Sequence, residues 1–335
     1  MKWSNPIKYP HEVDGGRGLR DPFILKHGDF WYLTGTMYPY CESDCGSADP
    51  TPGVPLYKTQ DFKNWQFEGL ILSRPDPALD KWYQKYFWAP EIFCYNGKFY
   101  LTVNCSKKGH YDNCGNDSLQ GVLVAVAEDI CGPYTVLTDE EPLFYGNDAH
   151  LFADDDGKTY IFATGIVGAE IDLESMELKT PLTQIIAPVP NSDAWNAQRD
   201  GVGLEGPFVC KVDGVYYMFY STWSRGYEIG VAKSDSPLGK WQMDAEPFYG
   251  AMSKELCERF GGIYQPGYYA YDYREAGHNS VFIGDDGERY IAAHVFMHGD
   301  IDTDVALVLD RLYFENGEVF VLDKNKKRVN GPTYG

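Results

Sequence analysis

Apolar and polar residues alternate along much of this chain with the period of a β-strand. Phe99, Leu101 and Val103 share one face of such a segment, and Tyr217 and Phe219 repeat the pattern further along. Successive side chains of a strand point to opposite faces, so this alternation predicts half-buried strands. Convincing helical periodicity is scarce, and the pattern therefore predicts an all-β protein.

One short phrase, a hairpin turn centred on glycine and followed at once by an aromatic strand, recurs five times. The five copies are Lys26-His27-Gly28-Asp29-Phe30-Trp31-Tyr32, Tyr95-Asn96-Gly97-Lys98-Phe99-Tyr100, Asp155-Asp156-Gly157-Lys158-Thr159-Tyr160, Val212-Asp213-Gly214-Val215-Tyr216-Tyr217 and Asp285-Asp286-Gly287-Glu288-Arg289-Tyr290. Their glycines are 69, 60, 57 and 73 residues apart. A turn-and-strand unit at near-constant spacing is typical of a blade array. The sequence therefore predicts a five-bladed β-propeller with its active site at the central axis, and residues 1–335 as a single domain.

Composition narrows the range of partners. The formal net charge of −20 argues against nucleic acid and anionic membranes as partners. Aromatic residues make up 16% of the chain, which suits strands and a site that stacks on sugar rings. No segment approaches the length of a transmembrane helix, and the first residues lack an apolar signal region. The expected location is cytoplasmic, or secreted if a signal was removed.

Candidate chemistry lies just before each turn, where the innermost strand of a blade should begin. Asp148, Glu205 and His278 each stand nine residues before their turn glycine, and Asp21 stands seven before its own. Equal offsets on equivalent strands imply equivalent places around the axis. We therefore expect two aspartates, one glutamate and one histidine to face each other across a narrow well.

A cluster of carboxyl groups in such a well has a chemical use. Like charges at close range raise one another's pKa, and glycoside hydrolysis needs one protonated and one ionised carboxyl group. His278 has three interpretations: a ligand to a central cation, often through water, a hydrogen-bond donor to a carboxylate or sugar, or an inner-strand residue that only packs. His294 and His298 lack partners at ligand spacing, and we expect them to be structural.

Five landmarks stand in order in the predicted blades. They are Arg20-Asp21-Pro22-Phe23-Ile24, Trp88-Ala89-Pro90-Glu91, Asp148 followed by Phe152 and Asp154-Asp155-Asp156-Gly157, Glu205-Gly206-Pro207, and Gly277-His278-Asn279-Ser280-Val281. On these residues, nearly the whole chain resembles glycoside hydrolase family 43, the five-bladed propeller enzymes that act on arabinose- and xylose-containing glycans.

The resemblance implies a role for each candidate residue. Asp21 would be the general base, Glu205 the general acid, and Asp148 the residue that orients Glu205 and raises its pKa. His278 would lie beside a central, water-coordinated ion, often calcium, with no cofactor needed for the chemistry itself. The family works with inversion. Ala149 stands where the family often has proline, which leaves the subfamily and the sugar open.

The predicted function is hydrolysis of small arabinose- or xylose-containing oligosaccharides, of the α-L-arabinofuranosidase or β-xylosidase type. Trp88, Phe87 and Trp223 are candidates for stacking on a sugar face, and Arg274 for reaching into the well. Two alternatives stay open. One is a catalytically silent sugar-binding propeller, and the other is a related propeller hydrolase that acts on fructans or galactans. The oligomeric state is not predicted.

Overall fold

The computed structural model of the protein describes residues 3–7, 18–38, 51–108, 119–187, 189–190, 197–198, 203–222, 227–245, 247–250, 273–297, 305–329 and 331–333. Within these ranges the chain forms β-strands and a single 3-10 helix, Pro77–Leu79, which Asp76 caps by accepting the Ala78 N–H. The all-β prediction is confirmed. Across the described part of the chain, no helix is long and apolar enough to cross a membrane.

The first three sheets are antiparallel meanders. The first contains β1 (Gly18–His27), β2 (Phe30–Tyr38), β3 (Gly53–Thr59) and β4 (Gln66–Ser73). The second contains β5 (Lys85–Tyr95), β6 (Lys98–Ser106), β7 (Gly121–Ala127) and β8 (Thr135–Val136). The third contains β9 (His150–Ala153), β10 (Thr159–Ala163), β11 (Val167–Asp172), β12 (Glu177–Leu178) and β13 (Thr183–Gln184).

The second half of the chain continues this pattern after a short parallel pair, β14 (Val189–Pro190) and β15 (Ala197–Gln198). The fourth sheet contains β16 (Leu204–Val212), β17 (Val215–Thr222), β18 (Glu228–Ser234), β19 (Gln242–Met243) and β20 (Tyr249–Gly250). The fifth contains β21 (Tyr273–Ile283), β22 (Arg289–Met297) and β23 (Val305–Arg311). A sixth contains β24 (Tyr313–Glu315), β25 (Glu318–Leu322) and β26 (Arg328–Val329).

Each of the five predicted glycine turns joins the first and second strands of a sheet. The glycine has positive φ in all five, as at Gly97 (76°) and Gly214 (81°). Asn96 and Asp213, which precede these two, also have positive φ, so both turns have the mirror-image form that suits the twist of a hairpin. Turn chemistry therefore sets where each blade begins.

The number of sheets differs from the prediction. Among the described residues six sheets have three or more strands, not five. The additional sheet is built on a further copy of the recurring phrase, an Asn316-Gly317 turn followed by the aromatic Phe320. Its strands are only two to five residues long, so its alternating pattern is too short to stand out in the sequence.

Apolar clusters lie between neighbouring sheets and bring the chain into a ring. Sheets one and two share a cluster, as do two and three, three and four, and four and five. Leu19 and Trp31 of the first sheet pack with Phe282 and Leu307 of the fifth, which joins the ends. The innermost strands also contact one another in the order β1, β5, β9, β16, β21 and back to β1. The fold is an all-β propeller, in which each sheet buries its faces against its neighbours.

Candidate active site

A residue at positive φ lies in, or just before, each of the five innermost strands. The five are Asp21, Ala89, Asp148, Gly206 and His278; Gly18 on β1 and Tyr86 and Phe87 on β5 have positive φ as well. Four of the five lie where the pairing register shifts, and Asp148 lies just before β9. A bulge with a left-handed residue re-aims the local side chains and costs about 1–3 kcal/mol for a residue other than glycine. These bulges turn the candidate groups toward one place at the axis.

Asp21 is held by groups from three strands. Its Oδ2 accepts a hydrogen bond from Thr36 Oγ1 at 2.5 Å, and Thr36 Oγ1 in turn accepts the Ala89 N–H at 2.7 Å. His278 Nδ1 lies 3.4 Å from Asp21 Oδ1. Burial raises the pKa of Asp21, but the attraction of His278 and Arg20, together with the hydrogen bond from Thr36, outweighs it, so the pKa is lowered. The carboxylate is thus ionised and ready to accept a proton.

Asp148 is fixed by three donors from three different strands or turns. Asn104 Nδ2 donates to Oδ1 at 2.9 Å, and Thr164 Oγ1 and the Gly206 N–H donate to Oδ2 at 2.7 and 3.2 Å. The Asp148 N–H donates back to Asn104 Oδ1 at 2.9 Å. Its bond to Gly206 ties it to the residue that follows Glu205. Asp148 is therefore placed to orient Glu205 through the backbone.

Glu205 carries the remaining carboxyl group, which is partly exposed. The hydroxyl of Tyr227, a fully buried residue, donates to Glu205 Oε1 at 2.7 Å. Burial raises the pKa of Tyr227 well above its usual value, and the nearby carboxylates Glu205, Asp21 and Asp148 raise it further. Tyr227 consequently stays protonated and acts as a donor.

His278 lies among these acids. One ligand atom from each of Asp148, Glu205 and His278 falls within 4.8 Å of the others. Its ring packs on Gly206, where a Cβ would come within 3.1 Å of the ring at a φ of 56°. Burial lowers the pKa of His278, but Asp21, Asp148 and Glu205 together raise it above the usual value. The structure therefore brings all four predicted groups to one place.

The other predicted site residues differ in where they lie. Phe87 is 0% exposed in the apolar cluster between the first two sheets, so it cannot stack on a sugar. Trp88 is half-buried, packs beside Phe296 and lies next to the bulge at Ala89, so it remains a stacking candidate. Trp223 and the side chain of Arg274 lie outside what the structure describes.

The sequence did not predict a set of polar residues that form hydrogen bonds with Asp21, Asp148 or His278. Each lies on or just after the second strand of a sheet, seven residues after the turn glycine, or eight in the first sheet. The set is Thr36, Asn104, Thr164, Ser221 and His294. The repeated offset after the glycine was a signal of the same kind as the offset before it. Tyr227 carried no such signal, because it stands just before the third strand of its sheet and not at a fixed offset from a turn glycine.

His294 was expected to be structural, yet it contacts the site. Its Nδ1 accepts the Asp21 N–H at 3.2 Å and lies 3.8 Å from Asp21 Oδ1. Burial, aided by the charge of Arg20, lowers the pKa of His294 to about 3. The ring is therefore neutral, with Nδ1 as an acceptor.

A propeller with three carboxyl groups and a histidine around its axis has the architecture and the donor groups of a glycosidase. A family model described as glycosyl hydrolases family 43 matches residues 17–320, and the chain belongs to this family.

Among similar proteins, a xylosidase/arabinosidase of Butyrivibrio fibrisolvens is 32% identical over 66% of this chain and 40% of its own length. An extracellular exo-α-(1→5)-L-arabinofuranosidase of Cellvibrio japonicus is 23% identical over 84% of this chain and 80% of its own length. The chain thus spans less than half of the Butyrivibrio relative. A thermostable family-43 glycoside hydrolase of known structure matches all of both chains, with a TM-score of 0.71 and 27% identity.

Proposed function

We propose that this protein hydrolyses glycosidic bonds with inversion, with Asp21 as general base and Glu205 as general acid. The observation that carries the proposal is the contrast between two carboxyl groups in one well. Asp21 is largely buried, yet the charges of His278 and Arg20 lower its pKa, whereas Glu205 is partly exposed and receives a hydrogen bond from the neutral Tyr227 hydroxyl. An inverting enzyme needs one carboxylate to activate water and one acid to protonate the leaving oxygen.

In this mechanism Asp21 Oδ1 or Oδ2 takes a proton from the water that attacks the anomeric carbon. Glu205 gives its proton to the departing oxygen on the other side of the sugar. Asp148 positions Glu205, because its bond to the Gly206 N–H fixes the backbone that carries Glu205. His278 stabilises Asp21 in the ionised form before it accepts the proton.

For the substrate, we propose arabinose- or xylose-containing oligosaccharides. The support is the names of the relatives, which include xylosidases, arabinofuranosidases and an endo-α-(1→5)-L-arabinanase. Trp88 is the aromatic side chain that we assign to a sugar face. A screen of nitrophenyl α-L-arabinofuranoside, β-D-xyloside and β-D-galactoside tests the assignment, with the anomer of the product read by NMR. Binding of oligosaccharides without release of sugar would contradict it, as would retention of configuration.

We further propose that five sheets, the first to the fifth, surround the site as one catalytic domain. The support is that the five positive-φ residues named above and the cyclic contacts of β1, β5, β9, β16 and β21 involve only these sheets. The sixth sheet packs against the cluster between sheets four and five, with Val321 buried in it and Phe314 and Val319 partly buried against it.

A central cation, of the calcium type, is also a proposal. The ligand atoms of Asp148, Glu205 and His278 within 4.8 Å form a donor set that fits such an ion in kind. Asp148 already accepts three hydrogen bonds, so we assign the ion to His278 through water. Its positive charge would stabilise the ionised carboxylates. Calorimetric titration of calcium into the protein and into His278→Ala tests this, and equal binding by both would contradict it.

A further inference from the structure

Behind the two proposed catalytic carboxyl groups lies a pair of buried rings, Tyr227 and His294. Both side chains are 0% exposed. Their ring centroids are 5.4 Å apart, and the planes are inclined by 30°, so they stack. Each ring contacts one of the two acids: Tyr227 bonds to the side chain of Glu205, and His294 accepts the backbone N–H of Asp21.

The position of the Tyr227 ring is tightly fixed. Gly277 pairs with His294 across β21 and β22, and a Cβ on Gly277 would lie only 2.0 Å from a carbon of the Tyr227 ring. The backbone of β21 therefore passes directly against one part of the ring, while His294 covers another. A side chain confined in this way loses little entropy when its hydroxyl forms a directed hydrogen bond.

The hydroxyl bond also decides which oxygen of Glu205 can give up a proton. Because Tyr227 donates to Oε1, the transferable proton is carried by Oε2. As Glu205 loses this proton, negative charge develops on its carboxylate. A hydrogen bond to an ionised carboxylate is roughly twice as strong as one to a neutral group. The Tyr227 bond is therefore stronger in the transition state than in the ground state, which is the condition for accelerating the reaction.

We propose that Tyr227 is a positioning residue for the general acid Glu205, held in place by His294, which separately positions the general base Asp21. This inference rests on the roles assigned to Glu205 and Asp21 in the proposed function. It predicts that the two rings have separable effects, because one acts on the leaving group and the other on the attacking water.

The test compares two substrates of the same sugar: the nitrophenyl glycoside, whose leaving group needs little protonation, and the corresponding disaccharide, whose leaving group needs it. For Tyr227→Phe, kcat on the disaccharide should fall about 10- to 100-fold, and kcat on the nitrophenyl glycoside by less than about 3-fold. KM should change little for either substrate. His294→Phe keeps a stacked ring but removes the acceptor for Asp21, so kcat should fall by a similar factor on both.

Tyr249→Phe is a matched control. Tyr249 is also 0% exposed, and its hydroxyl donates to the buried carboxylate of Asp310 at 2.6 Å, away from the site. Tyr249→Phe and Tyr227→Phe should lower Tm by similar amounts, but only Tyr227→Phe should change the ratio of the two activities. Equal losses on both substrates in Tyr227→Phe, or none, would overturn the inference while the proposed function stood. A wild-type protein that cleaves neither substrate would overturn the proposed function itself.

Discussion

Asn104 holds Asp148 at two points, with its Nδ2 donating to Oδ1 and its Oδ1 accepting the Asp148 N–H, both at 2.9 Å. Asn104 lies on β6 in the second sheet, whereas Asp148 leads into β9 in the third. A residue of the second sheet therefore fixes the position of an acid that leads into the third sheet. Both residues are at least nine-tenths buried, so water cannot replace the bonds.

Asn104→Leu keeps the volume of the side chain and removes both hydrogen bonds. Asp148 would lose its orientation and leave its N–H buried without a partner, at a cost of about 1–3 kcal/mol. We expect kcat to fall about 10- to 100-fold, because small misplacements of catalytic groups have effects of this size. Steady-state kinetics and urea unfolding measure the two changes. Thr102→Val is the control, since Thr102 lies on the same strand but its hydroxyl donates to the Ala149 backbone oxygen and not to a catalytic carboxylate.

Glu205→Gln and Asp21→Asn separate the acid from the base. Glu205→Gln should lower kcat on disaccharides by about 100-fold or more, and much less on nitrophenyl glycosides, since a good leaving group needs little protonation. Asp21→Asn should lower both, because water must be activated whatever the leaving group. The ratio of kcat/KM on the two substrates measures the difference. Similar ratios for the two variants would show that the assignment of acid and base is wrong.

Asp310 should make the stability of the fold depend on pH. Burial raises its pKa from 3.8 to about 7, although Thr333 and Tyr249 donate hydrogen bonds to it. Between these two pH values the folded state holds a proton that the unfolded state has lost. This contribution to the free energy of unfolding is therefore fully present below pH 3.8 and is lost as the pH rises to about 7. Asp310→Asn cannot ionise, and its Tm should fall less than that of the wild type between pH 5 and pH 8.

Asp61→Asn is the control for this pH effect. Backbone N–H groups of Asn64 and Lys63 lower the pKa of Asp61 to about 2. Its contribution to stability changes only between about pH 2 and pH 4, so Asp61→Asn should lower Tm by the same amount at pH 5 and at pH 8. A wild-type and an Asp310→Asn protein with parallel Tm profiles over this range would rule out the titration of Asp310.

Asn5 closes the ring by joining the two ends of the described chain. Its Nδ2 donates to Leu309 O and Thr333 O at 3.0 and 2.8 Å, and its Oδ1 accepts the Leu309 N–H at 2.9 Å. Asn5→Ala should lower the free energy of unfolding by about 1–3 kcal/mol, since the groups it serves are buried. Asn64→Ala removes an exposed bond to Asp61 and should cost less than about 0.5 kcal/mol. Equal losses in urea unfolding would contradict a role for Asn5 in closure.

Much of the fold follows from local chemistry. The glycine turns, the aromatic strands and the period-two alternation are properties of short segments, and all five turns lie where the sequence predicted them. The sixth sheet was missed because its strands are short, although the Asn316-Gly317 turn was visible. The grouping of Asp21, Asp148, Glu205 and His278 followed from their offsets, because equivalent strands in a ring share one axis.

The remaining parts of the site could not be read from local pattern. Phe87 and Trp88 are adjacent and both aromatic, yet one is in the core and the other is half-buried, and the pairing register of β5 shifts on both sides of Trp88. Tyr227 contacts Glu205 from 22 residues further along the chain, and His294 contacts Asp21 from the other end of the chain. Such contacts depend on how sheets are stacked, which no window of sequence contains.

The sequence by itself determined the strands, the turns and the set of acids aimed at one axis, since each depends on the residues within a few positions of it. Only the tertiary structure decided which groups hold those acids and with what charge. The pKa of Asp21 is lowered and that of His278 is raised because neighbouring charges, most of them on other sheets, outweigh the opposing effect of burial. Electrostatic interaction and desolvation depend on distance in space, and the ring of sheets sets those distances.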